Sequence, residues 1–208
     1  MIEIFKDIEQ GTYEWRLARC GLPTASMFAT ILAKGREGGA SKTRRDYLHK
    51  LAGEIITGEP SESFSNRHME RGHVHEEEAR QLYAFVSDEE PEQVGFIRNG
   101  RKGCSPDAQI GAYGLLELKS KLPHIVIDLI IKDKAPSEHV AQVQGQLWVA
   151  EREWCDICVY WPRMPIFIKR VNRDEDYIKK LSDAVDVFND ELDEVVAKIR
   201  AYGVREEA

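Results

Sequence analysis

Three residues in the middle of the chain combine charge with hydrophobic surroundings. Asp107 follows a proline in CSPD, and further on LLELKS places Glu117 and Lys119 two apart in an otherwise apolar run. On a β-strand, side chains i and i+2 share a face. Glu117 and Lys119 are thus expected to point one way while Leu116 and Leu118 point into a core. The GAYG turn lets the preceding segment fold back and brings Asp107 beside Glu117, so that two carboxylates and an ammonium meet at one sheet edge. Two carboxylates that close repel, and one protonates unless a cation sits between them. A hard divalent ion such as Mg²⁺ binds through few carboxylates and completes its shell with water and substrate phosphate. A lysine beside metal-bound water can position that water or help deprotonate it, its own pKa falling beside the metal's charge. The implied chemistry is attack of an activated water on phosphorus, with the metal stabilising charge on the phosphoryl oxygens and leaving group. The plain alternative is a surface ion pair with Asp107 as a turn former.

These residues need a scaffold, and the periodicities supply one. Residues 10–34 read as helical with a break at Gly21 and Pro23, and Thr24 or Ser26 can cap a new helix. GREGGAS reads as a Gly-rich loop, and RRDYLHKLAGEIITG as a helix ending at Gly58. Residues 67–86 read as a further helix with Glu76 and Arg80 as an i,i+4 ion pair. The period then switches. QVGFIRN, GCSPDAQI, YGLLELKS, CDICVYW and IFIKRV read as strands. A helix over 136–152 lies among them, with Pro136 near its start and Ser137 as a possible cap. The end of the chain carries apolar residues at 3–4 spacing from Tyr177 to Ile199, with an acidic opposite face. The pattern is α/β with a mixed sheet. It divides into N-terminal helices over 10–86, a sheet and helix over 93–171 and a C-terminal helix over 173–201, read as a single domain over 1–208.

Composition narrows the class. The 208 residues are 42% hydrophobic and 31% charged, as in a globular protein. No apolar run approaches the ~20 residues that span a bilayer, and MIEIFKDIEQ has no signal-peptide pattern. A cytoplasmic protein is expected. The net charge of −7 argues against nucleic acid. Residues 172–208, however, hold six Lys/Arg against eleven Asp/Glu, and AKGREGGASKTRR is locally basic. An acidic protein can still bind DNA along one basic groove. Cys155 and Cys158 form a C-x-x-C, but three apart on a strand they face opposite sides, so they read as small apolar fillers.

The P-D…E-x-K pattern resembles the PD-(D/E)xK nuclease superfamily. WRLARCGLPTAS, RGHVHEEEAR, CSPD, LELK, AQVQGQLWV and YWPRM occur in that order. Together they resemble the phage lambda exonuclease, or YqaJ-type viral recombinase, family over roughly residues 10–165. The resemblance implies a restriction-endonuclease-like fold with a central mixed sheet flanked by helices and a long C-terminal amphipathic helix. It implies that Asp107, Glu117 and the backbone carbonyl of Leu118 hold the metal, with Asp107 bridging two Mg²⁺ ions for which Mn²⁺ substitutes, and that Lys119 activates the attacking water. Glu76 would hold or orient metal-bound water. From the sequence alone it reads as a solvated helix face beside Glu77 and Glu78.

Gln142 matches the family glutamine of the AQVQ helix. Its amide can donate to a phosphate oxygen and accept from a water. Gln146 shares its face, Gln144 faces elsewhere, and Ala141 and Gly145 let the helix approach closely. Arg19, Thr24 and Ser26 match the grip on a terminal 5′-phosphate, an arginine fork joined by hydroxyls at a helix start. Arg36 matches a residue that reaches toward the duplex, and Met69 an apolar wedge between terminal base pairs. His68, His73 and His75 read as surface or supporting residues.

The implied activity is a Mg²⁺-dependent 5′→3′ exonuclease on double-stranded DNA. It would release mononucleotides from ends bearing a 5′-phosphate and leave 3′ overhangs. The resemblance further implies a processive, ring-shaped homotrimer, bacterial or prophage-encoded, partnered by a single-strand annealing recombinase. Two other readings stand beside it. One is an iron–sulfur PD-(D/E)xK nuclease of the CRISPR-associated or helicase-linked type, for which Cys20, Cys155 and Cys158 lack a late three-cysteine cluster. The other is a non-catalytic module docking DNA ends or an annealing protein, in which three mutually hostile groups at 107, 117 and 119 would have no purpose.

Overall fold

The computed structural model describes residues 1–35, 38–61 and 67–202, with the backbone alone over 67–74. Strand β1 (Ile2–Phe5) leads into helix α1 (Tyr13–Ala18), whose Thr12 side chain caps the Trp15 N–H. A 3-10 turn (Ala25–Met27) and the short helix α2 (Phe28–Leu32) follow. Helix α3 (Lys42–Thr57) starts on a Ser41 cap and stops at Gly58, whose φ of 73° is the left-handed conformation that ends a helix. Helix α4 (Arg67–Ser87) precedes β2 (Pro91–Glu92), β3 (Phe96–Asn99), β4 (Lys102–Cys104), β5 (Ala108–Ile110) and β6 (Gly114–Ser120). Then come α5 (Pro123–Lys132), α6 (Val140–Ala150), β7 (Trp154–Tyr160), β8 (Phe167–Asn172) and α7 (Glu175–Arg200).

The strands form two sheets. One has the order β1-β3-β4, the other β2-β5-β6-β7-β8. In the larger sheet only β6 and β7 run parallel, and α5 and α6 lie in the crossover between them. Both faces are buried. Leu115, Cys155, Ile157 and Val159 join the main core with Leu147 of α6 and Leu181, Val185 and Phe188 of α7. Leu116, Leu118, Cys158 and Tyr160 pack with Ala79 and Tyr83 of α4 in a second cluster. This is the expected central mixed sheet flanked by helices. Among the described residues no helix is long and apolar enough to cross a membrane.

Three local expectations are corrected. GCSPDAQI is not one strand. Pro106 cannot donate to a ladder, and the run breaks into β4 of the small sheet and β5 of the large one. The helix expected over 136–152 begins as a 3-10 turn at Ser137–His139 without a side-chain cap, and is α-helical only from Val140. The break at Gly21 and Pro23 reduces the helices of 10–34 to α1 and α2, and Thr24 caps the 3-10 turn with no side-chain bond. Strand β1 and helix α5 have no counterpart in the sequence reading.

Helix α7 closes the main core. Its Asp174 cap accepts the Tyr177 N–H at 2.9 Å, and acidic residues open it while basic ones end it, as the helix dipole favours. Arg44 and Arg101 clamp Glu191 and Asp193, each through two hydrogen bonds.

Candidate active site

Strand β6 carries its charges where β5 has already ended. The hairpin register sets Ala108 opposite Leu116, so Asp107, one step outward, faces Glu117. The Asp107 N–H still donates to the Leu116 carbonyl at 3.1 Å, and its Oδ2 accepts the Leu118 N–H at 2.5 Å. The carboxylate takes the place of the next ladder bond. A residue's N–H and C=O leave the same edge of a strand, so the Leu118 carbonyl also projects toward Asp107. The site therefore lies on the central strand, past the tip of β5, not on an edge strand. Glu117 and Lys119 share their face with Leu115, toward α6, while Leu116 and Leu118 face α4, as alternation requires.

Glu117 is 2% exposed and bound on both oxygens. Its Oε1 accepts Gln142 Nε2 at 2.5 Å and the Lys119 ammonium, and its Oε2 accepts Gln146 Nε2 at 2.5 Å. The two glutamines are one helical turn apart on α6. On another side the same helix packs closely on Phe28 because position 145 is glycine, where a Cβ would lie 2.4 Å from the Phe28 ring. Gln144 turns away and ties the start of α7, donating to the Asn172 carbonyl and accepting the Asp174 N–H, both at 2.9 Å. His139 shares the Gln142 face; burial, with Lys119 and Lys121, lowers its pKa to about 4, so it is neutral at physiological pH.

The electrostatics are those of a site short of positive charge. Burial first, then Glu117, pushes the Asp107 pKa well above the carboxylate range; Lys119 acts in the opposite direction. For Lys119, burial lowers the pKa, but Glu117 and Asp107 outweigh it and leave the ammonium more basic than usual. Two carboxylates and a strand-edge carbonyl make an all-oxygen donor set, which suits a hard divalent cation. Among the described residues no three His, Cys, Asp or Glu side chains form a ready-made cage. Mg²⁺ needs none, since it uses one or two carboxylates with water and phosphate.

Glu76 reaches the same place from α4. It lines, with Glu77, Arg80 and Asp107, a cleft of about 710 Å³ whose other wall is the segment from Lys6 to Thr12. Arg80 is 8% exposed and pairs with Glu76 at 3.5 Å and Glu77 at 3.2 Å. His75 bonds Ser120 at 3.1 Å and rests edge-on against Tyr160 and Trp161.

A second polar cluster adjoins the first through the chain itself. Arg19 donates to Ser105 Oγ at 3.1 Å and Thr24 Oγ1 at 3.3 Å, with its guanidinium 3.9 Å from the centre of the Trp15 ring. Burial lowers its pKa to about 10, so it stays charged. Trp15 Nε1 reaches Ser105 Oγ at 2.9 Å and the Gly95 carbonyl at 3.0 Å. Thr24 is buried and its N–H donates to the Tyr47 hydroxyl at 3.2 Å, while Ser26 is exposed, 3.5 Å from Thr24 Oγ1. Ser105 and Asp107 are two residues apart, so the arginine cluster and the carboxylate pair are built on one short segment.

Comparison with known proteins matches this arrangement to a family. The model of the YqaJ-like viral recombinase domain matches residues 14–153, a span that holds Asp107, Glu117, Lys119, the α6 glutamines, Glu76 and the Arg19 cluster. The chain belongs to the YqaJ-like viral recombinase family. The alkaline exonuclease LHK-Exo from Laribacter hongkongensis has a similar structure, with a TM-score of 0.81 and 30% identity over 91% of this chain and 96% of that one. Its complex with dAMP gives 0.82 and 31% with the same coverage. A phage-related exonuclease from Haemophilus somnus shares the fold, with a TM-score of 0.63 at 13% identity over 86% and 96% of the two chains. No curated protein matches the chain.

Against the family motifs, the structure brings Asp107, Glu117, Leu118, Lys119 and Gln142 together, sets Glu76 in one cleft with Asp107, and groups Arg19, Thr24 and Ser26. Arg36 lies outside the described residues, and so do the side chains of Met69, His68 and His73. Sequence reasoning passed over Ser105 and His139, gave Gln146 no role, and named Arg80 only as the i,i+4 ion-pair partner of Glu76, a pair the structure forms. Only the CSPD motif signalled Ser105; the other three sit in helices where polar residues read as solvent-facing. The cysteine pair divides as expected, Cys155 in the main core and Cys158 in the second cluster, on opposite faces of β7. That placement bars the two from one iron–sulfur cluster.

Proposed function

We propose that this YqaJ-like viral recombinase is a Mg²⁺-dependent 5′→3′ exonuclease on double-stranded DNA, working as one nuclease domain. Its family and its likeness to a solved alkaline exonuclease make it a deoxyribonuclease and a DNA exonuclease. The finer reading rests on one observation above all. The β5–β6 register sets Asp107 opposite Glu117, with Lys119 on the same face and Gln142 behind it.

In this reading Asp107, Glu117 and the Leu118 carbonyl would hold the Mg²⁺, for which Mn²⁺ would substitute. Bound there, the metal supplies Lewis-acid stabilisation of the phosphoryl charge and a water acidic enough to attack. The protein's own groups do the rest. Lys119 orients the attacking water. It is too basic beside Glu117 and Asp107 to give up a proton near neutrality, so it can act as a base only when those carboxylates are charge-compensated. Gln142 fixes Glu117 and, through its free carbonyl oxygen, can accept from that water. Glu76 orients water from the cleft side.

Arg19, Thr24 and Ser26 take the terminal 5′-phosphate, a charged fork with hydroxyls beside it, which sets polarity and leaves a 3′ overhang. Arg36 and Met69 are proposed to touch the duplex and split its end. A processive, cytoplasmic homotrimer, bacterial or prophage-encoded, handing its overhang to an annealing recombinase, completes the proposal.

The deciding experiment is digestion of a linear duplex labelled separately at each end, with and without 5′-phosphate, in Mg²⁺ and in EDTA. Loss of label from the 5′ end alone, faster with phosphate and abolished by EDTA, is expected. Loss from the 3′ end, or nicking of closed circles, overturns the polarity or the exonuclease assignment.

A further inference from the structure

Gln146 is 1% exposed, in a helix that also buries Val143, Gln144, Leu147, Val149 and Ala150. A leucine there would suit the core. The amide instead donates Nε2 to Glu117 Oε2 at 2.5 Å, and its Oε1 is buried with no hydrogen-bond partner among the described residues. Flipping the amide is not an alternative, because a carboxylate only accepts and the nitrogen must face it. A buried, unmet carbonyl costs stability, and that cost is retained at one point, against Glu117. The carboxylate's other donors are unevenly shared. Among the described residues, Lys119 and Gln142 both fall on Oε1 and only Gln146 holds Oε2. A carboxylate has about four acceptor positions. Three are taken, and the one left is on Oε2, whose direction Gln146 fixes.

We infer that Gln146 is a positioning residue for metal binding: it locks Glu117 so that Oε2, the oxygen with a free acceptor position, is presented to the cation. Gln142 and Lys119 hold the opposite oxygen. The inference rests on Glu117 being a metal ligand, as proposed above. Partners of this kind typically contribute about 10–100-fold to metal affinity.

The test is binding of Mn²⁺ alone to the DNA-free protein by calorimetry, alongside the Mg²⁺ dependence of duplex degradation. Glu117→Gln probes the site itself; if Mn²⁺ binds it as tightly as the wild type, the ligand assignment fails, whatever Gln146 does. Gln146→Met keeps the volume and removes the donor. It is expected to weaken Mn²⁺ binding about tenfold or more and to raise the half-saturating Mg²⁺ concentration in parallel, with most of the rate recovered at high metal. Gln144→Met, equally buried on the same helix but bonded to Asn172 and Asp174, is expected to leave Mn²⁺ affinity unchanged. Gln146→Asn, which withdraws the amide by one methylene, decides the matter if Gln146→Met does not fold. A folded Gln146 variant that binds Mn²⁺ within twofold of wild type, with an unmoved Mg²⁺ half-saturation, refutes the positioning role.

Discussion

Asp107 Oδ2 accepts the Leu118 N–H at 2.5 Å, one step beyond the last β5–β6 pair. The carboxylate is pinned by backbone on one side and faces Glu117 across the hairpin. Burial first and Glu117 second raise its pKa well above the usual range. With the folded pKa raised, this group's stability is full below the unfolded carboxylate pKa and is lost as pH rises through the folded value. Near neutrality the metal-free protein therefore carries a penalty. Asp107→Asn keeps an acceptor for Leu118 and removes the repulsion. Its Tm in EDTA at pH 7–8 is expected to rise, by about 2–4 °C per kcal/mol relieved, while DNA hydrolysis falls about a hundredfold or more. Calorimetry and a duplex-degradation assay measure the two effects; a lower Tm would defeat the electrostatic account.

The same pair predicts proton release on metal binding. A cation between Asp107 and Glu117 favours their ionised forms, so Mn²⁺ affinity should rise with pH until the Asp107 proton is gone. Titration in two buffers of different ionisation enthalpy reads the released proton directly. Equal apparent enthalpies in both buffers would mean that no proton is displaced.

Lys119 should separate metal binding from chemistry. Its ammonium neutralises part of the charge that a metal ion would neutralise, so Lys119→Met removes a competing cation. Mn²⁺ binding is expected to hold or tighten, while strand degradation at saturating Mg²⁺ falls about 10²–10⁴-fold, the usual worth of proton-transfer help. Loss of Mn²⁺ binding would place Lys119 in the structural support of the site instead.

Arg19 is partly buried among hydroxyls and an aromatic ring, with no carboxylate partner among the described residues. Hydrogen bonds to a charged group contribute about 1.5–3 kcal/mol. Arg19→Lys loses the planar fork and is expected to lower the preference for 5′-phosphate over 5′-hydroxyl ends by about 10–100-fold, mostly in KM. Rates on the two substrates measure it, and an unchanged ratio would detach Arg19 from the phosphate.

The hairpin was readable because its signals are local: a turn, an alternation, and two charges inside an apolar strand. Helices α3, α4 and α7 were readable from caps and period. Strand β1 was not, because its stability comes from pairing with β3, nearly a hundred residues away in sequence. Helix α5 hid because its run of isoleucines suits a strand as well as a helix. The supporting polar residues were hardest to see. Arg80 and Gln146 occupy helix positions that a linear reading assigns to solvent. What makes them interior is the acid each one faces, Glu76 or Glu117, and that acid comes from another element or from a full turn of helix.

Asp156 tests whether a buried acid on this sheet is functional merely by being buried. It is 3% exposed on β7, opposite Leu116 in register, and accepts Arg170 Nε and Nη2 at 2.9 Å each and the Tyr83 hydroxyl at 2.8 Å. Every strong donor it needs is supplied by the protein, whereas Asp107 is left short of positive charge. Arg170 also lies 3.4 Å from the centre of the Trp154 ring. Losing one partner of a buried pair costs about 3–5 kcal/mol, but the Arg170 side chain is 47% exposed and solvent weakens its share. Arg170→Met is therefore expected to destabilise by about 2 kcal/mol, a fall in Tm of about 4–8 °C. Activity per folded molecule and the half-saturating Mg²⁺ concentration should not change. A shift in the metal dependence, with the Tm intact, would move Asp156 from the frame of the sheet into the reaction.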